Sequence, residues 1–193
     1  MAGTQMRILG ISGSLRRDSH NTKLLRAAAT VLPPGVTLEI YDGDALRVLP
    51  AYDEDVEQAG AGGPAVERLR AAIAAVDAVL IATPEFNGSI PGVLKNALDW
   101  ASRPFPDNCL KGKPVAVVGA STGLFGAVWA QAEVKKVLGV IGADAIDAEL
   151  PIGMADTAFD DAGVLLDAGQ VKLLGDLVHV LVARAAATSS SGA

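Results

Sequence analysis

The chain has 193 residues, of which half are apolar, and its formal net charge is −6. This length suits one domain with a sizeable core, and the charge excludes a broad basic surface for nucleic acid or acidic membranes. Because Cys109 is the only cysteine and His20 and His179 are the only histidines, an internal disulfide and a metal site rich in thiolates or imidazoles are excluded as well.

The uninterrupted apolar runs, such as AVLIA at residues 78–82, are too short to cross a bilayer. The first residues, MAGTQMRILG, lack the basic region, apolar stretch and cleavage site of a signal peptide. We therefore expect a soluble, cytoplasmic protein.

Strand and helix patterns alternate along the chain. Strands are predicted over Met6–Ile11, Thr37–Tyr41, 78–82, 114–120 and, as a fifth candidate, Ala145–Leu150. Helices are predicted over Asn21–Leu32, Pro64–Val76, Val93–Ser102, Ala127–Ile141 and Asp167–Ala187. The strands are rich in β-branched residues without alternation, which is typical of strands covered on both faces. The pattern predicts an α/β fold with a doubly wound, five-stranded parallel sheet between two layers of helices.

The domain organisation is expected to be simple, because no internal repeat or clear linker is present. We predict one domain over residues 1–187. The chain ends in ATSSSGA, which is small and polar, so residues 188–193 are predicted to be a disordered tail. The segment Pro151–Gly169 has no role that its sequence assigns.

Three loops are candidates for a ligand site, because ligands of doubly wound sheets bind beyond the carboxyl ends of the strands. They span residues 12–20, 83–92 and 120–126. The first loop reads SGSLRRDSH and precedes a helix whose start is marked by Asn21. Its hydroxyl groups, backbone N–H groups and arginines favour a bound phosphate, with Arg16 or Arg17 adding a forked charged contact. A helix cap beside two solvated arginines is the alternative.

Common nucleotide-binding and hydrolase motifs are absent from this loop and from the one Gly-Lys pair in the chain. A phosphate-binding Gly-Lys-Ser/Thr ending is missing, since Gly112-Lys113 is followed by Pro114. The spacing of Gly10 and Gly13 does not make a dinucleotide fingerprint, and GISGS is not a hydrolase elbow.

The second and third loops are suited to a flat ligand. In the second loop, Pro84 and Pro91 stiffen the chain, Asn87-Gly88 supplies a turn, and Phe86 stands among polar neighbours. For Phe86 the alternative is a partly buried loop aromatic, and for Glu85 a solvated carboxylate. The third loop, GASTGLFG at residues 119–126, allows close backbone approach through its glycines, although its Ser and Thr are also ordinary turn residues.

Three stretches, in this order, resemble the NADPH-dependent FMN reductase family of flavodoxin-like proteins: SGSLRRDSHN, PEFNGSIPGVLKNALDW and the small-residue loop at 119–126. The resemblance runs from about Met6 to Leu150 and implies a flavodoxin-like fold that binds FMN. By position, the residues that would hold the FMN phosphate are Ser14, Leu15, Arg16, Ser19 and Asn21. Those that would flank the isoalloxazine are Pro84, Glu85, Phe86 and Asn87, with Ser121 near its other edge. The family often has tyrosine in place of Phe86, and the retained ring should still stack on flavin.

The resemblance also implies an activity: NAD(P)H reduces the flavin, nicotinamide leaves, and a quinone or similar acceptor takes the electrons at the same face. Free flavin, chromate and azo compounds are other acceptors of the family. No catalytic side chain and no metal ligand is predicted. A flavodoxin-type electron carrier and a non-enzymatic nucleotide-binding module are the alternatives. The choice between NADH and NADPH stays open.

A homo-oligomer, a dimer or a tetramer, is predicted from the helix at 93–102. Its apolar residues cover more than one narrow stripe, which is typical of a helix buried on more than the core side. The resemblance points the same way, because family members pair through this region.

Overall fold

The computed structural model describes residues 5–191 and has an open parallel sheet at its centre. The strands are β1 (Met6–Ser12), β2 (Val36–Ile40), β3 (Ala78–Thr83), β4 (Pro114–Ala120), β5 (Asp144–Ala145) and β6 (Pro151–Ile152). Their spatial order is β2-β1-β3-β4-β5, and β6 also pairs with β4. All these pairings are parallel. The predicted flavodoxin-like, doubly wound α/β fold is confirmed, since this is the flavodoxin strand order.

Helices cover both faces of the sheet. They are α1 (His20–Thr30), α2 (Gly43–Arg47), α3 (Glu54–Gln58), α4 (Gly63–Ala74), α5 (Gly92–Ala101), α6 (Val128–Ile141) and α7 (Ala168–Ser191). Apolar residues of α1 and α7 form one core cluster with the sheet, and those of α2, α4, α5 and α6 form the other. Every residue of β3 and β4 is consequently buried. Within residues 5–191, no helix combines the length and the apolar character that a membrane span requires.

The predicted fifth strand, Ala145–Leu150, is wrong as a continuous element. The chain forms only two short strands there, β5 and β6, at either end of the predicted span. Between them, the amide oxygen of Gln131 accepts from Leu150 N at 3.2 Å, and Lys135 binds Glu149 at 2.7 Å. These contacts come from α6, while Ile146 N still donates to Val115 O and Leu150 O still accepts from Gly119 N of β4. Because the partners on α6 are distant in sequence, strand propensity alone does not predict the interruption.

The C-terminal helix is longer than predicted. It continues to Ser191, so residues 188–191, which the sequence assigned to a disordered tail, are helical. The hydroxyl groups of Thr188 and Ser189 donate to the carbonyls of Arg184 and Ala185 at 3.1 Å, which satisfies them within the helix. Residues 192–193 lie outside the described residues, and the single domain over residues 1–187 stays a prediction.

Helix α5 buries its broad apolar face within its own chain. Leu94, Leu98 and Trp100 are buried, and the indole of Trp100 donates to Pro50 O at 2.8 Å. The width of this apolar face, from which the sequence predicted self-association, is therefore explained by packing inside one chain. Evidence for an oligomer must therefore come from a different surface of the protein.

Candidate functional site

The first loop is tied down by its own serines. Gly13 N donates to Ala82 O at 2.8 Å, which fixes the loop to the end of β3. Ser14 N donates to the hydroxyl of Ser12 at 3.4 Å, and Arg16 N donates to the hydroxyl of Ser14 at 3.3 Å. These bonds turn the backbone sharply after β1, which delivers the chain to the start of α1.

The start of α1 has backbone N–H groups without an acceptor. Ser19 is the N-cap, where the sequence had placed Asn21, and its hydroxyl accepts from Thr22 N at 3.3 Å. In the described part of the chain, the N–H groups of His20 and Asn21 have no acceptor. Unpaired N–H groups at a helix start attract an anion such as a phosphate.

The side chain of Asn21 joins the first loop to the third. It is 2 % exposed, its Nδ2 donates to Ala120 O at 2.9 Å, and its Oδ1 accepts from Ala120 N at 2.9 Å. Both ends of the amide are therefore engaged with backbone. Asn21 lies at the predicted place, but these contacts make it a clamp between α1 and β4.

The arginines of the first loop differ in their surroundings. Arg16 donates from Nε to Asp18 O at 2.9 Å, and from Nη2 to the same oxygen, so its guanidinium folds over its own loop. The side chain of Arg17 is exposed and has no hydrogen bond or ion pair with the described residues. Lys23 forms an ion pair with Asp18 at 2.9 Å, and this hydrogen bond lowers the pKa of the Asp18 carboxyl.

The second loop is a tight hairpin that displays Phe86. Phe86 N donates to Ser89 O and Ser89 N donates to Phe86 O, both at 3.2 Å. Asn87 and Gly88 have φ angles of 55° and 73°, as the central residues of a type I′ turn require. The turn predicted at Asn87-Gly88 is confirmed, and the ring of Phe86 is 57 % exposed.

Two carboxylates fix this hairpin against α6. Glu85 Oε2 accepts from Trp129 N and Ala130 N at 3.1 Å each, so it caps a helix whose own N-cap residue, Ala127, has no capping side chain. In return, Glu133 Oε2 of α6 accepts from the Ser89 hydroxyl at 2.6 Å and from Ile90 N at 3.3 Å. The Ser89 hydrogen bond lowers the pKa of the Glu133 carboxyl.

The third loop packs on the segment that follows β6. Ser121 N donates to Ile152 O at 3.0 Å, and Ala155 N donates to Ser121 O at 3.1 Å. Gly126 and Gly153 allow this close approach: a Cβ at Gly153 would lie 2.2 Å from Leu124 O, and one at Gly126 would lie 2.5 Å from backbone carbon of Pro151. The start of the segment 151–169, which the sequence left without a role, therefore supports the third loop.

The three loops meet around a cleft of about 300 Å³. Eight of the predicted residues line it: Ser14, Arg16, Ser19, Asn21, Pro84, Glu85, Phe86 and Ser121. Leu15 does not line this cleft and packs against the core cluster beneath α2 and α4, and Asn87 lies at the exposed tip of the hairpin. The cleft is also lined by His20, Ala120 and Thr122, which the sequence did not predict.

Of the three cleft residues that the sequence did not predict, His20 is the one with a titratable side chain. Its Nδ1 is buried and unpaired among the described residues, and its ring stacks on Phe159 with centroids 6.0 Å apart. Burial lowers the pKa of His20 below its ordinary value, and the positive charge of Arg16 adds to this effect. The signal was its position next to the capping serine, but its partner, Phe159, is too distant in sequence to have been inferred.

The cleft has a polar end and an apolar end. Hydroxyl groups, an arginine and unpaired N–H groups gather at the start of α1, while Pro84 and the exposed ring of Phe86 lie across from them. This arrangement fits a ligand with a phosphate at one end and a flat ring at the other. FMN has this composition, so the residues present fit the group that the resemblance implies.

Comparisons with known proteins give a consistent picture. The family model for NADPH-dependent FMN reductases matches residues 6–157. An NAD(P)H-dependent FMN reductase of Pseudomonas aeruginosa is 47% identical over 163 residues, which are 84% of this chain and 85% of that protein. A quinone reductase of Pseudomonas putida is 43% identical over 159 residues, 81% of this chain and 83% of that protein.

Among solved structures, the chain is similar to a flavoenzyme NAD(P)H:(acceptor) oxidoreductase, FerB, from Paracoccus denitrificans. The TM-score is 0.78 at 34% sequence identity, and the superposition covers 93% of this chain and 97% of that one.

Proposed function

Because the chain belongs to the NADPH-dependent FMN reductase family, we propose that it is an FMN-dependent NAD(P)H oxidoreductase that reduces quinones or similar acceptors. The observation that carries the proposal is the cleft formed by the three loops, with its phosphate-binding end at α1 and its flat apolar end at Phe86. The names of the relatives support the acceptor class, since several are quinone reductases.

The polar end of the cleft is assigned to the FMN phosphate. Ser14 and Ser19 supply hydroxyl groups, Arg16 supplies a charge, and the first turn of α1 supplies N–H groups. Asn21 acts by holding Ala120 against α1, and Leu15 acts by packing under the loop. Each side chain at this end thus either binds the phosphate or fixes the groups that do.

The apolar end is assigned to the isoalloxazine. Pro84 and Phe86 offer flat contacts, Asn87 sets the hairpin turn, and Ser121 lies at the opposite edge. Glu85 contributes by aligning α6 with this loop. Bound FMN would supply the hydride and electron chemistry between nicotinamide and acceptor, so no side chain would have to act as acid or base.

The reaction is proposed to be ping-pong, with both substrates using one face of the flavin. Phe86 is the one Phe, Tyr or Trp side chain lining the cleft in the described residues, and it can cover one face of a flat ring. The other face is left for nicotinamide and acceptor in turn. A flavodoxin-type carrier commonly encloses its flavin between aromatic rings, so this feature favours the enzyme.

The acceptor range is proposed to include quinones, free flavin, chromate and azo compounds.

Because NAD(P)H is kept reduced in the cytoplasm, we place the enzyme there.

A homo-oligomer is proposed from the surface between α5 and α6. Phe105 and Val140 are 68% and 76% exposed and line one groove there. Covering such exposed apolar side chains is a reason for two chains to pair. Light scattering at micromolar concentration should give at least the mass of a dimer, and a monomeric mass would refute this proposal.

The test of the function is steady-state oxidation of NADPH and NADH with a quinone, using protein loaded with FMN. Parallel double-reciprocal plots are expected when both substrates are varied. Intersecting plots would still be consistent with a reductase, but they would contradict the proposal that both substrates use one face of the flavin in turn. The flavin bound after purification or reconstitution is released by denaturation and identified by chromatography; FAD, or no flavin, would contradict the assignment of the phosphate end.

A further inference from the structure

A second cavity lies behind the first loop, on the side of the sheet edge formed by β2. Its volume is about 570 Å³, and it is lined by the first loop, the first half of α1, the end of β2 and the residues that follow β2. Ser14 and Arg16 line both this cavity and the cofactor cleft. A ligand that extends from one to the other would therefore cross a single loop.

Arginines from three elements line this cavity: Arg16 and Arg17 of the first loop, Arg26 of α1 and Arg47 of α2. Arg47 is engaged, since its Nη2 donates to Leu15 O at 3.0 Å and its Nε pairs with Asp44 at 3.4 Å. Arg17 and Arg26 are exposed and have no hydrogen bond or ion pair with the described residues. Two uncommitted guanidinium groups thus accompany a cavity that a single phosphate would not fill.

The other lining residues favour a nucleotide over a bare anion. Asp42 follows β2 directly, and Asp42 and Asp44 can accept hydrogen bonds from sugar hydroxyl or base amino groups. Ile40 and Tyr41 supply apolar contacts for a base. A carboxylate accepts hydrogen bonds from a ribose 2′-hydroxyl, whereas an arginine donates forked hydrogen bonds to a 2′-phosphate. Here Asp42 caps α2 and Asp44 pairs with Arg47, whereas Arg17 and Arg26 have no partner among the described residues, which favours the phosphate.

We propose that this cavity binds the 2′-phosphoadenosine half of NADPH, and that Arg17 and Arg26 make the enzyme prefer NADPH to NADH. The inference rests on the proposed function, because it assigns a subsite for the reductant of that reaction. Arg16 is left out of the assignment, since it belongs to the phosphate end of the cofactor cleft.

The test is calorimetric titration of the FMN-loaded protein with adenosine 2′,5′-bisphosphate and with 5′-AMP. The parent should bind the bisphosphate more tightly. In Arg17→Ala and in Arg26→Ala, affinity for the bisphosphate should fall by about tenfold, the scale of one charged hydrogen bond, while affinity for 5′-AMP stays unchanged. Arg7→Ala is the matched control, because Arg7 lies near the amino end of β1, away from both cavities.

Kinetics give the second readout. The variants should lower kcat/KM for NADPH and leave that for NADH unchanged. Equal binding of the two nucleotides by the parent, or variants that keep the parent's preference, would overturn the inference while leaving the reductase intact. Loss of FMN affinity in the Arg17 or Arg26 variant, without a change in nucleotide preference, would also overturn it. If the parent oxidises neither coenzyme, the proposed function fails, and the titration still decides whether the cavity binds a 2′-phosphate.

Discussion

Replacing Asn21 by alanine is expected to destabilise the protein and to weaken flavin binding. The substitution leaves the N–H and the C=O of Ala120 without their partners, both at 2.9 Å in the parent. An unpaired buried polar group costs about 1–3 kcal/mol, so two cost about 2–6 kcal/mol. Water that enters the vacated space recovers part of this loss, and we expect a fall of about 2–4 kcal/mol in the free energy of unfolding.

Urea unfolding followed by circular dichroism measures this loss, and Asn96→Ala is its matched control. Asn96 also bonds to one backbone C=O and one backbone N–H, from Nδ2 to Pro50 O and from Tyr52 N to Oδ1, at 2.8 Å each, but it does not line the cofactor cleft. Its loss should cost less, because Pro50 O keeps the hydrogen bond from the Trp100 indole. Both variants should lose stability. Only Asn21→Ala should lose flavin affinity, because only Asn21 joins the first loop to the third.

Riboflavin, which lacks the phosphate, separates the two roles that Asn21 can have. If Asn21 holds the loops together, Asn21→Ala weakens riboflavin and FMN binding alike. A variant that loses affinity for FMN and keeps it for riboflavin would show that Asn21 contacts the phosphate directly. If Asn21→Ala has the same urea midpoint as the parent, the N–H and C=O of Ala120 do not lose the free energy calculated for two unpaired buried groups.

Other substitutions test the three loops. Arg16→Ala should weaken FMN binding by about 1.5–3 kcal/mol, the scale of a charged hydrogen bond, and leave riboflavin binding unchanged; equal FMN affinity in calorimetry would remove Arg16 from the site. Gly153→Ala should displace the third loop, because its Cβ would lie 2.2 Å from Leu124 O, and should weaken FMN and riboflavin binding together, whereas unchanged flavin titrations would disprove the tight packing. Glu133→Gln should lower the melting temperature at pH 7. The hydrogen bond from Ser89 lowers the pKa of Glu133 below its ordinary 4.5, so this stabilisation is complete above pH 4.5 and is lost as the pH falls below it. The difference between parent and variant should therefore shrink below pH 4.5, and a constant difference would contradict the role of this carboxylate.

The parallel sheet was predictable because its strands and helices depend on local patterns, whereas the flavodoxin-like strand order was implied only by the family resemblance. Unbroken apolar runs such as residues 78–82 identify strands with both faces covered, and the alternation of strands and helices leads to a parallel sheet. The interruption between Ala145 and Leu150 was not predictable, since it depends on side chains of α6 that lie well before it in the sequence.

The site shows the same division. The motifs predicted which loops meet, and eight of the ten site residues implied by the family resemblance line one cleft. What each side chain does there depends on partners far along the chain. Asn21 bonds to Ala120, Glu85 caps α6, and His20 stacks on Phe159, and none of these contacts leaves a signal in the local sequence.

The central claim is that nicotinamide reduces FMN held in the cleft formed by the three loops. Anaerobic mixing of the FMN-loaded protein with NADPH, and separately with NADH, tests it most directly when the visible absorbance of the flavin is followed without any acceptor. The account predicts bleaching with at least one coenzyme, at a rate no slower than turnover with a quinone. Oxidised flavin that persists with both coenzymes would contradict it and would support an electron carrier.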